Sequence, residues 1–368
     1  MINSGLLIGI DASRAVKANP TGTEYYSREI IRAILELDRR NQYRLYAHKM
    51  PDSSFGEYSN VEWKIIPPGR LWSQLKLAAE LKKSSPDVLF VPAHVVPLLS
   101  NVPTVVTIHG LEFLYAPQNY GHRERAYLKF STASSISKAR QVIAPSHWTK
   151  QDILKHYHCP AGKITVIAEA YNKELYNTNG EAGERPIKEP YIFSLSRLEE
   201  RKNQALLVEA FALLRKEKGD VKLVLGGKPG YGFEKIRAKI DALPATIRDS
   251  VLLPGYLSET DAANYLRHAA VFAYPSKYEG FGIPMLEAFG SGTPVVASNA
   301  SCLPEVAGEA AVLLPPDNAL SWAAAFSRIL HQPKYAEELK AKGLKRASEF
   351  SWASAAEATL IVIENAAA

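Results

Sequence analysis

Residues 271–298 narrow most sharply what this chain can fold into. They read Val271-Phe272-Ala273-Tyr274-Pro275, then Glu279-Gly280-Phe281-Gly282-Ile283-Pro284-Met285-Leu286-Glu287, then Gly290, Gly292 and Pro294-Val295-Val296-Ala297. Val271 to Tyr274 is a short apolar run of strand type, and Pro275 stops it. Gly280 and Gly282 bracket Phe281, so the chain turns tightly there and its amides can come close to a ligand. Pro284 suits the first turn of a helix, Gly290 and Gly292 end that helix, and residues 294–297 form a second buried strand. Strand, glycine loop, helix, strand belongs to a parallel α/β sheet, and the loop that enters the helix suits an anion such as a diphosphate.

Two carboxylates flank that loop. A helix start stabilises acidic side chains without any ligand. A carboxylate also accepts two hydrogen bonds from a vicinal diol. Glu279 and Glu287 therefore read either as helix-start residues or as sugar ligands.

Arg197 and Lys202 lie just past a second strand, residues 191–195, at the edge of a parallel sheet where ligands bind. A guanidinium and an ammonium there suit a departing diphosphate. Glu199, Glu200 and Arg201 between them read as a solvated charge run. His109 ends a strand at 104–108 and is either structural or functional. Gly255-Tyr256-Leu257 follows a strand at 251–253 as a βα turn.

The whole phrase, E-x7-E inside E-G-F-G-x-P-x-x-E-A-x-x-x-G-x-P-V-V, resembles the signature of the retaining glycosyltransferases of the GT-B fold, family four. The resemblance implies that Glu287 binds the ribose hydroxyls of a sugar nucleotide. It implies that Glu279 and the amides of Phe281, Gly282 and Ile283 hold its sugar and diphosphate. Arg197 and Lys202 fall on the family's G-R-L-x-x-x-K-N pattern, with Ser196 in place of the glycine. By the same resemblance Gly22 and Thr23, in the first strand-to-helix turn, lie over the donor phosphates, and Leu257 takes the valine place of a base-reading G-x-V. His109 takes the place of the histidine in H-D-x-x-F-L, near sugar and acceptor. Gly110 replaces the aspartate, which leaves the acidic neighbour of His109 open, with Glu112 able to stand in.

The totals fit two domains. At 368 residues the chain exceeds the size of one core, and 46% apolar with 22% charged residues is ordinary for a globular protein. Residues 1–172 read as a first Rossmann-like, acceptor-side domain, 173–190 as a linker rich in polar and turn residues, and 191–348 as a second domain that binds the nucleotide sugar. Residues 349–368 form a terminal helix which, by the resemblance, crosses back to the first domain. The fold class expected is α/β, GT-B, two doubly wound domains facing across a cleft. A helix is expected at 71–83 with Trp72, Leu75 and Ala79 inward and Arg70, Lys76, Lys82 and Lys83 outward.

Other motifs fall away. Met285 occupies the place of a third dinucleotide-loop glycine, and no Ser or Thr follows Lys228 in Gly226-Gly227-Lys228-Pro229. The absence of D-x-D argues against a metal-bridged donor. His156, His158 and Cys159 are too close in sequence to share one face as metal ligands. Cys159 and Cys302 are the two cysteines, which fits a reducing compartment. No leader is read at the start, and no stretch reaches the ~18 apolar residues of a membrane span.

Residues 1–185 hold 23 Lys and Arg against 17 Asp and Glu, whereas residues 186–368 hold 21 of each, so the net +6 lies in the first half. That excess suits either an anionic partner or a merely solvated surface.

The function expected is retaining, metal-independent transfer of a hexose to an acceptor hydroxyl. The donor is a nucleotide diphosphate sugar, and no further cofactor is expected. GDP-mannose is favoured by likeness to the mannosyl branch in G-I-D-A-S-R at 9–14 and H-G-L-E-F-L at 109–114. The acceptor is expected to be a glycan or a lipid-linked sugar, with no nucleic-acid partner. The location expected is cytoplasmic, with peripheral contact on an anionic membrane. Two other classes use the same residues: a glycoside hydrolase with Glu279 and Glu287 as acid and base, and a non-catalytic binder of sugar or membrane surface.

Overall fold

The computed structural model describes residues 5–17, 20, 22–52, 55–69, 71–93, 95–179, 183–217 and 220–368. Arg70 and residues 180–182 of the expected linker lie outside them. The chain divides into two units, Met1–Glu169 with Ser351–Ala368, and Ala170–Phe350.

The first unit holds seven strands: β1 (Leu7–Asp11), β2 (Gln42–Ala47), β3 (Val61–Ile65), β4 (Val88–Val91), β5 (Thr104–Thr107), β6 (Gln141–Ala144) and β7 (Ile164–Val166). They form one sheet in the order β3-β2-β1-β4-β5-β6-β7, and every pair is parallel. Alternation along the strands fills both faces. Phe90, Val105 and Ile143 enter one core with Ile8, Ile10 and Leu45. Leu89, Val91, Val106 and Val142 enter the other with Leu77 and Leu81. A parallel sheet covered on both faces needs such continuous apolar strands.

The helix Trp352–Ala367 completes the first core. Ser351 caps it by accepting from the Ser354 amide. Its Trp352 ring packs edge-on to Tyr25 and Tyr26 of the helix Gly22–Leu37, at 6.2 and 5.8 Å between centroids.

The helix expected at 71–83 is built differently. A π-helical turn, Ser73–Leu77, runs into the α-helix Ala78–Lys83. Its i→i+5 bonding widens the turn and rotates the buried face. Leu77, Ala78 and Leu81 point inward, while Leu75 is 55% exposed and Ala79 lies outward, against expectation.

The second unit has six strands: β8 (Tyr191–Leu195), β9 (Lys222–Gly226), β10 (Val251–Gly255), β11 (Val271–Tyr274), β12 (Val295–Ser298) and β13 (Ala311–Leu314). They are parallel in the order β10-β9-β8-β11-β12-β13. Both sheets reverse strand order once, between β1 and β4 and between β8 and β11. Ligands of such sheets bind outside the strands' carboxyl ends at that reversal. Residues 170–179 are fastened to the second unit. Tyr171 and Tyr176 are buried, and Arg267 donates to the Leu175 and Asn177 carbonyls, each at 3.2 Å.

Candidate active site

At the reversal in the second unit, the segments that follow β8 and β11 meet. The 3-10 turn Glu200–Lys202 after β8 ends on Asn203, which takes a left-handed φ of 62°. Its side-chain amide donates to the carbonyls of Pro275 (3.2 Å) and Pro316 (2.7 Å), which pins the turn against the end of β11. This sets Lys202 against Glu279.

Glu279 is the centre of an ion network. Lys202 Nζ donates to its Oε1 at 2.5 Å, and the Tyr274 hydroxyl donates to the same oxygen at 2.8 Å. Arg201 lies 3.6 Å from Oε2. Arg201 also donates to the Tyr278 carbonyl at 2.6 Å and to Glu199 at 2.8 Å. Burial alone would push the Glu279 carboxyl up. The charges of Lys202 and then Arg201 overcome it and hold the group at about 2. Glu199 and Arg201 are not the solvated run expected from the sequence: Glu199 is buried and the Arg201 side chain is 15% exposed.

The loop after Glu279 enters the helix Ile283–Gly290 through Gly282, whose φ of 109° favours glycine. Cys302 lies beneath and donates its thiol to the Phe281 carbonyl at 3.1 Å. Phe281, Gly282 and Ile283 are buried. Among the described residues no acceptor takes their three backbone amides. The first N–H groups of a helix have no partner within it, so the loop can take an acceptor where the helix start adds positive potential.

Glu287 lies one turn further along and is buried. Burial, with Glu259 adding to it, pushes its carboxyl up to about 8, against a hydrogen bond with Tyr176 that lowers it. The two glutamates of one motif thus rest in opposite states near neutral pH.

Arg197 is exposed at the end of β8 and carries no ion pair among the described residues. Its segment is zipped to the loop after β9: Leu198 N donates to Lys228 O at 2.9 Å, and Gly230 N to Leu198 O at 2.8 Å. Leu257 follows β10 and lies over Gly226, where an added Cβ would meet it at 3.0 Å. Lys228, set aside above as no phosphate-loop lysine, is exposed with Nζ 4.4 Å from the centroid of the Tyr256 ring.

The remaining candidates belong to the first unit. Gly22 and Thr23 open the helix Gly22–Leu37 rather than a turn before it, and Gly22 has open space around it. His109 sits past β5 with Nδ1 2.9 Å from Glu169 Oε1 and Nε2 2.8 Å from the Pro92 carbonyl. The acidic neighbour is therefore Glu169, past β7, and not Glu112, which opens the short helix Glu112–Tyr115. Beside the reversal between β1 and β4 lies a cavity of about 390 Å³ lined by Asp11, Arg14, Lys17, His48, Trp72 and Tyr127, among others. Arg14 and Lys17 both pair with Glu24. Burial pushes the Asp11 carboxyl up despite hydrogen bonds with Ser13.

Residues 177–346 match the family described as glycosyl transferases group 1, and residues 20–175 match glycosyltransferase family 4. The chain is 28% identical over 264 residues to the O-antigen chain mannosyltransferase B of Escherichia coli, covering 70% of this chain and 68% of that protein. It is 33% identical over 238 residues to the MMP alpha-(1->4)-mannosyltransferase of Mycolicibacterium hassiacum, covering 62% and 56%. Its fold is similar to that of HepE from Anabaena, solved in complex with UDP and glucose, with a TM-score of 0.76, 17% identity, and 98% and 100% of the two chains covered. It is also similar to sucrose-phosphate synthase from Thermosynechococcus elongatus, with a TM-score of 0.77, 21% identity and 98% of each chain covered.

Proposed function

Since the chain belongs to the group 1 glycosyltransferases and has their GT-B fold, we propose that it is a retaining, metal-independent mannosyltransferase that uses GDP-mannose. The observation that carries the donor site is the loop at Phe281, Gly282 and Ile283, where three backbone amides at a helix start have no acceptor among the described residues. A diphosphate supplies acceptor oxygens there. Arg197, exposed and unpaired, and Lys202, shared with Glu279, meet the charge that grows on the leaving phosphate. With cations and helix-start amides in place, no bridging metal is required.

Glu279 is an ionised acceptor suited to sugar hydroxyls, and Glu287 faces the ribose. The acceptor hydroxyl attacks the anomeric carbon on the face from which the phosphate departs, and the leaving phosphate takes its proton. Neither glutamate need become a nucleophile. The split of Glu279 and Glu287 into one anion and one neutral acid would also suit the acid–base pair of a hydrolase. Membership of the transferase family and the unpaired amides favour transfer. Mannose is supported by the relatives named mannosyltransferases. The cavity beside Asp11 and Trp72 in the first unit offers polar groups and an aromatic wall for a glycan acceptor.

A thermal-shift screen of GDP-, UDP- and ADP-sugars tests the donor, with turnover measured before and after EDTA. Stabilisation by GDP-mannose and activity that survives chelation are expected. Stabilisation by UDP but not GDP would reverse the donor assignment, and activity restored only by magnesium or manganese would show the diphosphate clamp to be misread.

The acceptor is presented at an anionic surface. Lys82 and Lys83 are exposed at the end of the helix Ala78–Lys83. Lys82 and Leu99 line one surface hollow, and Leu99, at 57%, is among the exposed large apolar side chains of the first unit. No helix among the described residues is long and apolar enough to cross a membrane. Each basic residue near an anionic bilayer contributes ~1 kcal/mol. Binding to anionic vesicles should therefore fade as salt shortens the screening length. Charge reversal at Lys82 and Lys83 should weaken it and leave nucleotide affinity unchanged. Wild-type protein that ignores such vesicles at low salt would point to a soluble acceptor.

A further inference from the structure

His109 is held at both ends. Its side chain is 11% exposed. The two partners of its ring nitrogens, a carboxylate oxygen of Glu169 and the backbone carbonyl of Pro92, are both acceptors. A neutral imidazole has one N–H. It can satisfy the Pro92 carbonyl only through Nε2, and Nδ1 then faces Glu169 lone pair to lone pair. The 2.9 Å contact with Glu169 needs its own proton, on the ring or on the carboxyl. The clamp is built from separate strands: Pro92 follows β4, His109 follows β5 and Glu169 follows β7. Tyr26, from the helix Gly22–Leu37, packs edge-on to the imidazole at 4.5 Å. Its hydroxyl shares a 3.3 Å hydrogen bond with Thr107. Glu169 and Tyr26 are titratable groups that face the ring, and burial holds the Tyr26 phenol protonated far above neutral pH.

We infer that Glu169 is a positioning residue for the transfer: with the Pro92 carbonyl it fixes His109 through both ring nitrogens, so that His109 acts by its place and carries no proton to or from the acceptor. This deepens the transferase reading above and rests on it. A general base needs a nitrogen within reach of the proton it takes. Here both nitrogens are engaged, and freeing either one leaves a buried acceptor without its donor. Glu169 is itself buried, so water does not readily replace the ring.

The test compares wild type with Glu169→Gln, Glu169→Asp, His109→Asn and the double variant Glu169→Gln/His109→Asn. The readouts are kcat, the donor KM, the pH dependence of kcat/KM and the ring-nitrogen NMR signals of histidine-labelled protein. Glu169→Gln should lower kcat on the order of 10²-fold, the scale set by misplacing a group at a reacting centre. The donor KM should stay within about twofold. Glu169→Asp should recover part of the loss. His109→Asn should lower kcat with both limbs of the pH profile in place, and the double variant should be no worse than His109→Asn. A limb that vanishes in His109→Asn, or losses that add in the double variant, would overturn the inference. If wild type transfers from no nucleotide sugar, the transferase reading fails by itself. The wild-type ring signals then decide the clamp, as they do if Glu169→Gln does not fold: two hydrogen-bonded nitrogens are expected, and one unbonded nitrogen refutes it.

Discussion

Acidification from pH 4.5 to about 2 should cost the second unit on the order of 3 kcal/mol of stability, and Lys202→Met should remove most of that dependence. The motive is Glu279, whose carboxyl is held at about 2 against an ordinary 4.5. A carboxylate with a depressed value contributes its stability in full above 4.5 and loses it as the pH falls through the folded value. At about 1.4 kcal/mol per unit, the depression gives the figure above. Burial opposes the charge on Lys202 as well and leaves its ammonium below the ordinary value, with Glu279 offsetting part of that cost. The 2.5 Å contact and the further donors on the carboxylate favour the ionised pair. Deleting one member of such a pair leaves the other buried and poorly matched, so Lys202→Met should also cost about 3 kcal/mol at pH 7. Arg201, at 3.6 Å, is too far to replace the ammonium fully. Urea unfolding of both proteins between pH 2.5 and 7 measures the effect. Parallel pH slopes would mean that Glu279 is not held by Lys202.

The stretch from Val271 to Ser298 was legible because its signals are local. The strand Val271–Tyr274, the helix Ile283–Gly290 and the strand Val295–Ser298 lie where the apolar runs, Pro284 and the glycines place them. The parallel, doubly wound fold was legible for the same reason, since alternating strands and helices leave few other layers. What stayed hidden depends on which strand lies beside which. Glu112 is three residues from His109 and Glu169 is 60, yet the order β4-β5-β6-β7 brings Glu169 to the ring. Arg201 looked solvated because two of its partners, Glu279 and the Tyr278 carbonyl, come from the segment after β11, the neighbour of β8 in the sheet. The π-helical turn at Ser73–Leu77 was hidden in another way. The apolar residues at 72, 75 and 79 satisfy an α-helical spacing as well, so periodicity could not show that Leu75 faces outward.

Glu287→Gln should make the protein more stable in alkali and worse at holding a nucleotide. Burial, with Glu259 adding to it, places the Glu287 carboxyl at about 8 in the folded chain against an ordinary 4.5. An acid raised in this way contributes its stability in full below 4.5 and loses it as the pH climbs through 8. The span corresponds to on the order of 5 kcal/mol by pH 9. Glutamine has nearly the same shape and no charge to bury, so the variant should resist unfolding better than wild type above pH 8 and match it near pH 4. Binding should move the other way. In the proposed role the carboxylate accepts two hydrogen bonds from the ribose diol, and an amide offers only one oxygen to accept them. Losing a charge-assisted bond should cost on the order of 1.5–3 kcal/mol, about 10- to 100-fold in nucleoside diphosphate affinity. The diol also stabilises the ionised form, so a nucleotide that binds at pH 7 should draw a proton off Glu287. Calorimetry in two buffers of different ionisation enthalpy reads that proton as a difference in apparent binding enthalpy, and the difference should vanish in the variant. Equal nucleotide affinity in both proteins would remove Glu287 from the ribose, whereas unchanged alkaline unfolding would show that its charge is solvated and that the helix Ile283–Gly290 buries no acid.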